Sequence, residues 1–161
     1  NCTVVGDVVI GADSSVWFNT VIRGDVAQVT IGQRVNVQDL ALIHCDTGVP
    51  NVVENDVTIG HGAIVHGKRV GAESVIGMGA TLLSGTVIGR QCLIGAGALV
   101  PPRMNVADRS VVMGVPGKIV RQVSEKDWEY MQWLARHYVE LAQRYARGEV
   151  AKSHLDPQQK R

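Results

Sequence analysis

The chain has 161 residues, which fits one domain with a short appendage. Its net charge of +1 gives no electrostatic footprint for nucleic acid, and no apolar run approaches the roughly 18 residues of a membrane span. Hydrophobic residues make up 45% but aromatics only 4%, so the core must be built in thin layers of Val, Ile, Leu and Ala rather than around rings.

From Asn1 the chain is already inside a six-residue rhythm, and no signal peptide is recognisable. Aliphatic residues step through Val4, Ile10, Val16 and Ile22, then Ile31, Val37 and Ile43, then Val53, Ile59 and Val65. An unbroken series follows: Val70, Ile76, Leu82, Ile88, Ile94 and Val100. Period six matches neither an amphipathic helix nor an alternating strand; it is the signature of a parallel β-helix, in which three short strands make one triangular coil of 18 residues. Four residues after each inward aliphatic comes a smaller inward slot, filled by Val8, Ser14, Thr20, Val26, Val35, Ala41, Val57, Ala63, Ser74, Ala80, Thr86, Cys92 and Ala98. Three phase changes interrupt the count. Three residues are added between Ile22 and Ile31, four are added between Ile43 and Val53, and one is lost between Val65 and Val70. They read as two corner loops and a tightened corner.

After Val100 the rhythm fades through Pro101 and Pro102, and Val112 to Lys118 lead out of the coil. Ser124 has the position of a helix N-cap, with Glu125 and Asp127 in the first turn. Trp128, Met131, Leu134, Tyr138, Leu141 and Tyr145 then recur at helical spacing and predict a helix lying on the coil wall. The chain therefore divides into a β-helix over 1–118, a C-terminal helix over 119–147, and a polar, disordered tail over 148–161. Cys2, Cys45 and Cys92 are odd in number and far apart, and Cys2 and Cys92 fall in small inward slots. Free thiols and a reducing, cytoplasmic setting are expected.

Three histidines stand out against this ruler. Ile22, Ile43 and Val65 are three steps apart and should stack on one wall at roughly 4.8 Å, so the residues after them, Arg23, His44 and His66, form a column. Neighbouring imidazoles at that spacing can converge on one ion. His61 follows Ile59 by two residues, and Ile59 stacks over Val37 on the preceding wall, which puts Asp39 beneath His61 and Gln38 beneath Gly60. Two histidines on one edge and a third around the corner make an incomplete site. A threefold arrangement of copies would bring His61 of one to His44 and His66 of the next, so a homotrimer is expected, with an open catalytic type of zinc site at each interface. His137 and His154 read as solvated surface groups, and Asp39 as a carboxylate that stabilises the fold.

At these residues the sequence resembles the gamma-class carbonic anhydrases. The matching stretches are VIRGDV at 21–26, NVQD at 36–39, His44, and IGHGAIVHG at 59–67. The resemblance implies an all-β fold, a left-handed parallel β-helix of hexapeptide repeats with a C-terminal α-helix, and a homotrimer with interfacial Zn²⁺ (Fe²⁺ or Co²⁺ as alternatives). It implies a carbonate dehydratase, a lyase that reversibly hydrates CO2 to bicarbonate by a metal-bound hydroxide, with no nucleic-acid or membrane partner.

Carried over by position, His44, His61 and His66 become the metal ligands, and Gln38 the group that orients hydroxide or bicarbonate. Arg23 and Asp25 become an interfacial pair, and Tyr138 a residue approaching the site from the helix. The chain departs from the best-studied pattern at Val26, where the family has a Glu, and in the short loop from Cys45 to Asp56. There Asp46 and Glu54 are the only acids before Asp56 and are the candidates for proton transfer. Alternatives on the same scaffold are a metal-dependent acyl-CoA thioesterase-like hydrolase and a non-enzymatic metal-binding or assembly trimer. A hexapeptide acetyltransferase typically relies on one catalytic His beside a CoA groove, which three histidines at ligand spacing disfavour.

Overall fold

A computed structural model describes residues 1–149. They form a parallel β-solenoid of about six turns with one C-terminal helix. Val and Ile suit the two-residue strands that make most of each turn, because their branched side chains pack well on flat, stacked ladders.

The first wall stacks Ser15–Val16, Asn36–Val37, Thr58–Ile59, Val75–Ile76, Leu93–Ile94 and Ser110–Met113. The second stacks the start of Val21–Ile31 with Leu42–Ile43, Ile64–Val65, Thr81–Leu82 and Leu99–Val100. The third stacks the end of Val21–Ile31 with Asn51–Val53, Arg69–Val70, Val87–Ile88 and Asn105–Val106. Ile22 pairs with Ile43 and Ile43 with Val65, while Val37 pairs with Ile59. The register expected for the histidines is therefore the observed one. Aliphatic residues from Ile22 to Val112 form one continuous buried column, and Thr20, Ala41, Ala63, Ser74, Ala80, Thr86, Cys92 and Ala98 fill the small slots beside it.

The structure corrects the sequence reading in several places. The rhythm does not stop at Val100: Val106 and Val112 continue it at the same six-residue step and are buried. The stretch between Ile22 and Ile31 is not a corner loop. Val21–Ile31 runs as one strand through the second and third walls and pairs with Thr3–Ile10, the extra residues bulging between Gly24 and Val29, opposite Gly6 and Val8. That shift turns Val29 into the core in place of Val26, which is exposed. Val4 and Ile10, expected inside, are 45% and 40% exposed because their turn is covered by a neighbouring rung on one side only. Cys2 is likewise exposed, whereas Cys45 and Cys92 are buried.

The corner entering the second wall needs a left-handed residue on every coil. Asn19, Leu40, Gly62, Gly79 and Gly97 supply φ of 57°, 62°, 66°, 66° and 65°. The residue just before each, Asp39 and His61 among them, stands at the outer rim of that corner.

Residues 119–122, assigned above to the helical segment, instead belong to a strand, Lys118–Gln122, that turns back antiparallel along Ser110–Met113. The helix Glu125–Ala146 starts from Ser124, whose side chain accepts the Asp127 N–H while Asp127 answers the Ser124 N–H in a capping box. Its 22 residues span about 33 Å, close to the roughly 29 Å height of six rungs. Met131 packs on Val75 and Val111 of the first wall, and further along Tyr138 and Tyr145 meet Trp17 edge-on at 5.6 and 5.0 Å. The helix thus runs back down the first wall and brings Tyr138 to the level of the lower coils. The expected tail lies, from residue 150, outside the described residues.

Candidate metal centre

His44 and His66 leave the second wall at the same corner on successive coils. Their ring centroids are 5.2 Å apart, with planes inclined by 37°. Each imidazole is held by a carboxylate. His44 Nε2 lies 3.0 Å from Asp25 Oδ1, and His66 Nε2 lies 3.0 Å from Asp46 Oδ1. Asp25 is also bound by Arg23 at 2.6 Å, so the two form an ion pair within the chain that reaches His44. Arg23 first and then His44 hold the Asp25 carboxyl below the usual carboxylate range. Asp46 is lowered by the Ser84 hydroxyl, which donates to it at 2.9 Å, and then by His66.

His61 stands at the opposite edge of the second wall. Its backbone N–H donates to Gln38 Oε1 at 3.1 Å, and its Nδ1 lies 2.8 Å from Asp39 Oδ2. A carboxylate acceptor requires hydrogen on Nδ1, which leaves the His61 Nε2 lone pair free. Gln38 is buried and itself held: Nε2 donates to Asn36 Oδ1 at 3.1 Å, and Asn36 Nδ2 donates to Thr58 Oγ1 at 2.8 Å. Gln38, His61 and Tyr138 line a cavity of about 360 Å³ between the helix and the first wall, whose other sides are largely apolar. Burial, and then the charge of Asp39, push the Tyr138 phenol upward, so it stays protonated at neutral pH.

The structure gathers some predicted residues and disperses others. Gln38, Asp39 and His61 are in contact around one corner, with Tyr138 across the cavity; Arg23, Asp25, His44, Asp46 and His66 are linked around the next. Glu54 is at neither: it pairs with Arg69 at 2.6 Å and accepts the Ala72 N–H. His137 stacks on Trp133 at 4.9 Å, and His154 lies outside the described residues. Ser84 was missed, since nothing in the sequence links it to Asp46, 38 residues away. Burial raises the Cys45 thiol, whose Sγ–H donates to the Ala27 carbonyl at 3.3 Å.

Among the described residues no three metal-ligating side chains converge within one chain. The donors nonetheless have the chemistry of a divalent site. Imidazole suits zinc, iron(II) and cobalt, and carboxylates behind ligating histidines fix their tautomer and orientation.

Known proteins share the coil. The family described as Bacterial transferase hexapeptide (six repeats) matches residues 67–102. A carbonic anhydrase from Geobacillus kaustophilus is 46% identical over 89% of this chain and 79% of its own length. The mitochondrial gamma carbonic anhydrase 2 of Arabidopsis thaliana is 36% identical over 91% of this chain, which spans only 55% of that relative's length. Among solved structures, a putative acetyltransferase of Bacillus cereus has a TM-score of 0.84 at 42% identity, covering 89% of this chain and 83% of its own. No helix among the described residues is long and apolar enough to cross a membrane.

Proposed function

Because this chain belongs to the gamma-class carbonic anhydrase family, we propose that it catalyses the reversible hydration of CO2 to bicarbonate as a homotrimer. His44 and His66 of one copy and His61 of the next would hold one divalent cation at each interface. Zinc is the first choice, with iron(II) and cobalt as alternatives. The observation that carries the reading is the division of donors: two imidazoles 5.2 Å apart at one edge of the second wall, and one with a free Nε2 at the other.

A cation so held acts as a Lewis acid that makes water acidic enough to be a nucleophile near neutral pH. The chain's own residues supply the rest. Gln38 spends its oxygen on the His61 N–H and one amide hydrogen on Asn36, so its second amide hydrogen remains for a substrate oxygen in the cavity. The Tyr138 phenol, held protonated, is a second donor on the facing side. The apolar lining suits an uncharged, non-polar gas better than a charged substrate. Asp46, which accepts from the Ser84 hydroxyl at the edge of the site, would be the carboxylate that relays a proton, since Glu54 is committed to Arg69.

The test is stopped-flow CO2 hydration on protein loaded separately with zinc, iron(II) and cobalt, with His61→Ala as control. The expected result is one bound ion per chain in a trimer and hydration that collapses in His61→Ala. Metal-replete protein no faster than His61→Ala would sink the proposal.

A further inference from the structure

The four-residue insertion at the histidine corner carries a device that neither the repeat nor the metal chemistry requires. After His44 the chain leaves the coil as a loop and returns at Asn51, the first residue of the strand Asn51–Val53. Asn51 is buried to 1% exposure. Its Nδ2 shares its two hydrogens among three carbonyls: His44 at 3.2 Å, Val65 at 3.4 Å and Gly67 at 2.8 Å. The first belongs to one candidate ligand, and the other two flank His66 on the next coil. The His44 N–H still joins the ladder, at 3.2 Å from the Val65 carbonyl, but among the described residues no backbone N–H reaches the carbonyls of His44 or Gly67.

The orientation of this amide admits no reversal. Turning Oδ1 toward the three carbonyls would set four oxygens against one another with no hydrogen between them. In the observed orientation Oδ1 is buried and unpaired. An unsatisfied buried oxygen is unfavourable, so the amide is retained at that position against a local penalty. What it does there is tie the backbones beneath two imidazoles on different coils to one rigid group.

We propose that Asn51 is a positioning residue that sets the separation of His44 and His66 and thereby tunes their affinity for the cation. The inference rests on the shared-site reading above. Asn51 touches no substrate and acts only through the two histidine backbones.

The test is a zinc titration against a chromophoric chelator, with the visible spectrum of the cobalt-loaded protein as a second readout. Asn51→Asp, Asn51→Ser and Val53→Ala are compared with wild type. Asn51→Asp is nearly isosteric but places an oxygen against the three carbonyls. It is expected to weaken zinc binding about 10–100-fold, the range for residues that orient metal ligands, and to alter the cobalt spectrum. Asn51→Ser keeps a hydroxyl donor and is expected to lose less, which preserves the test if the aspartate variant does not fold. Val53 is fully buried in the same strand, and Val53→Ala should lower the thermal midpoint while leaving zinc affinity and spectrum unchanged. Asn51 variants that bind zinc as tightly as wild type, or that lose affinity only as Val53→Ala does, would overturn the proposal. Wild type without zinc affinity, or His61→Ala binding as tightly as wild type, would instead defeat the shared site on which it rests.

Discussion

Asp39 Oδ2 lies 2.8 Å from His61 Nδ1, one coil above, while Oδ1 of the same carboxylate accepts the Phe18 N–H at 3.1 Å from the coil below. One side chain thus stitches three coils and fixes the tautomer of a candidate ligand. The fold-stabilising role expected from the sequence and a second role behind His61 coexist in it.

Asp39→Asn separates them. An asparagine oxygen can still accept the Phe18 N–H, so the thermal midpoint should move little, but it no longer anchors His61 Nδ1–H with a charged acceptor. Zinc affinity is expected to fall about 10–100-fold. A chelator competition series on wild type and variant reads the affinity, and a thermal melt reads the fold. Unchanged affinity would show that His61 needs no carboxylate behind it.

The division of ligands between copies predicts subunit complementation. His61→Ala and His44→Ala proteins should each be inactive, but trimers reassembled from an equal mixture should regain activity. At each interface one copy must retain His44 and the next must retain His61, so about a quarter of the sites are intact under threefold symmetry. Hydration assayed before and after mixed refolding checks this. No recovery would place all three ligands in one chain.

Gly60 precedes His61 in a corner where neighbouring coils approach closely. A Cβ there would lie 2.7 Å from the Met78 N and 2.9 Å from the Ile76 O, both backbone atoms that cannot swing aside. Gly60→Ala is expected to cost about 1–3 kcal/mol, as overpacking does, and to displace His61. Gly62→Ala meets open space and carries only the strain of its φ of 66°, about 1–2 kcal/mol. Chemical denaturation gives both costs, and zinc affinity should fall further in the first.

Asp127 makes the attachment of the helix sensitive to acid. The Arg121 guanidinium, and after it the Ser124 hydroxyl and backbone N–H, hold its carboxyl far below the usual range. A depressed folded pKa contributes stability in full above the unfolded value of about 3.9 and loses it as pH falls through the folded value. Wild type should therefore exceed Asp127→Asn by about 1 kcal/mol at neutral pH, and the gap should begin to narrow below about pH 4 and close only well below it. Thermal melts followed by circular dichroism across that range measure the difference; a gap that persists in acid would assign the effect elsewhere.

Much of the scaffold was legible because period six is a strong and redundant signal. Counting aliphatic residues was enough to set His44 over Arg23 and His66 over His44, and to send His61 to another corner. Side-chain partnerships were not legible. Asp25 and Asp46 reach their histidines through rotamers that no spacing encodes, and Ser84 meets Asp46 across 38 residues. The same count misled where compensation is possible. The bulge within Val21–Ile31 let Val29 replace Val26 in the core, and Pro101-Pro102 disguised a rhythm that Val106 and Val112 resume.

A parallel coil has no natural length, since its last turn offers the same row of N–H and C=O groups that received the turn before. Lys118–Gln122 occupies that row on the first wall in the opposite direction, with Lys118 and Arg121 on an exposed strand. Another molecule's coil cannot continue through a reversed, charged edge. The short return strand thus acts against fibre growth on that wall: it keeps a self-templating ladder from recruiting copies end to end.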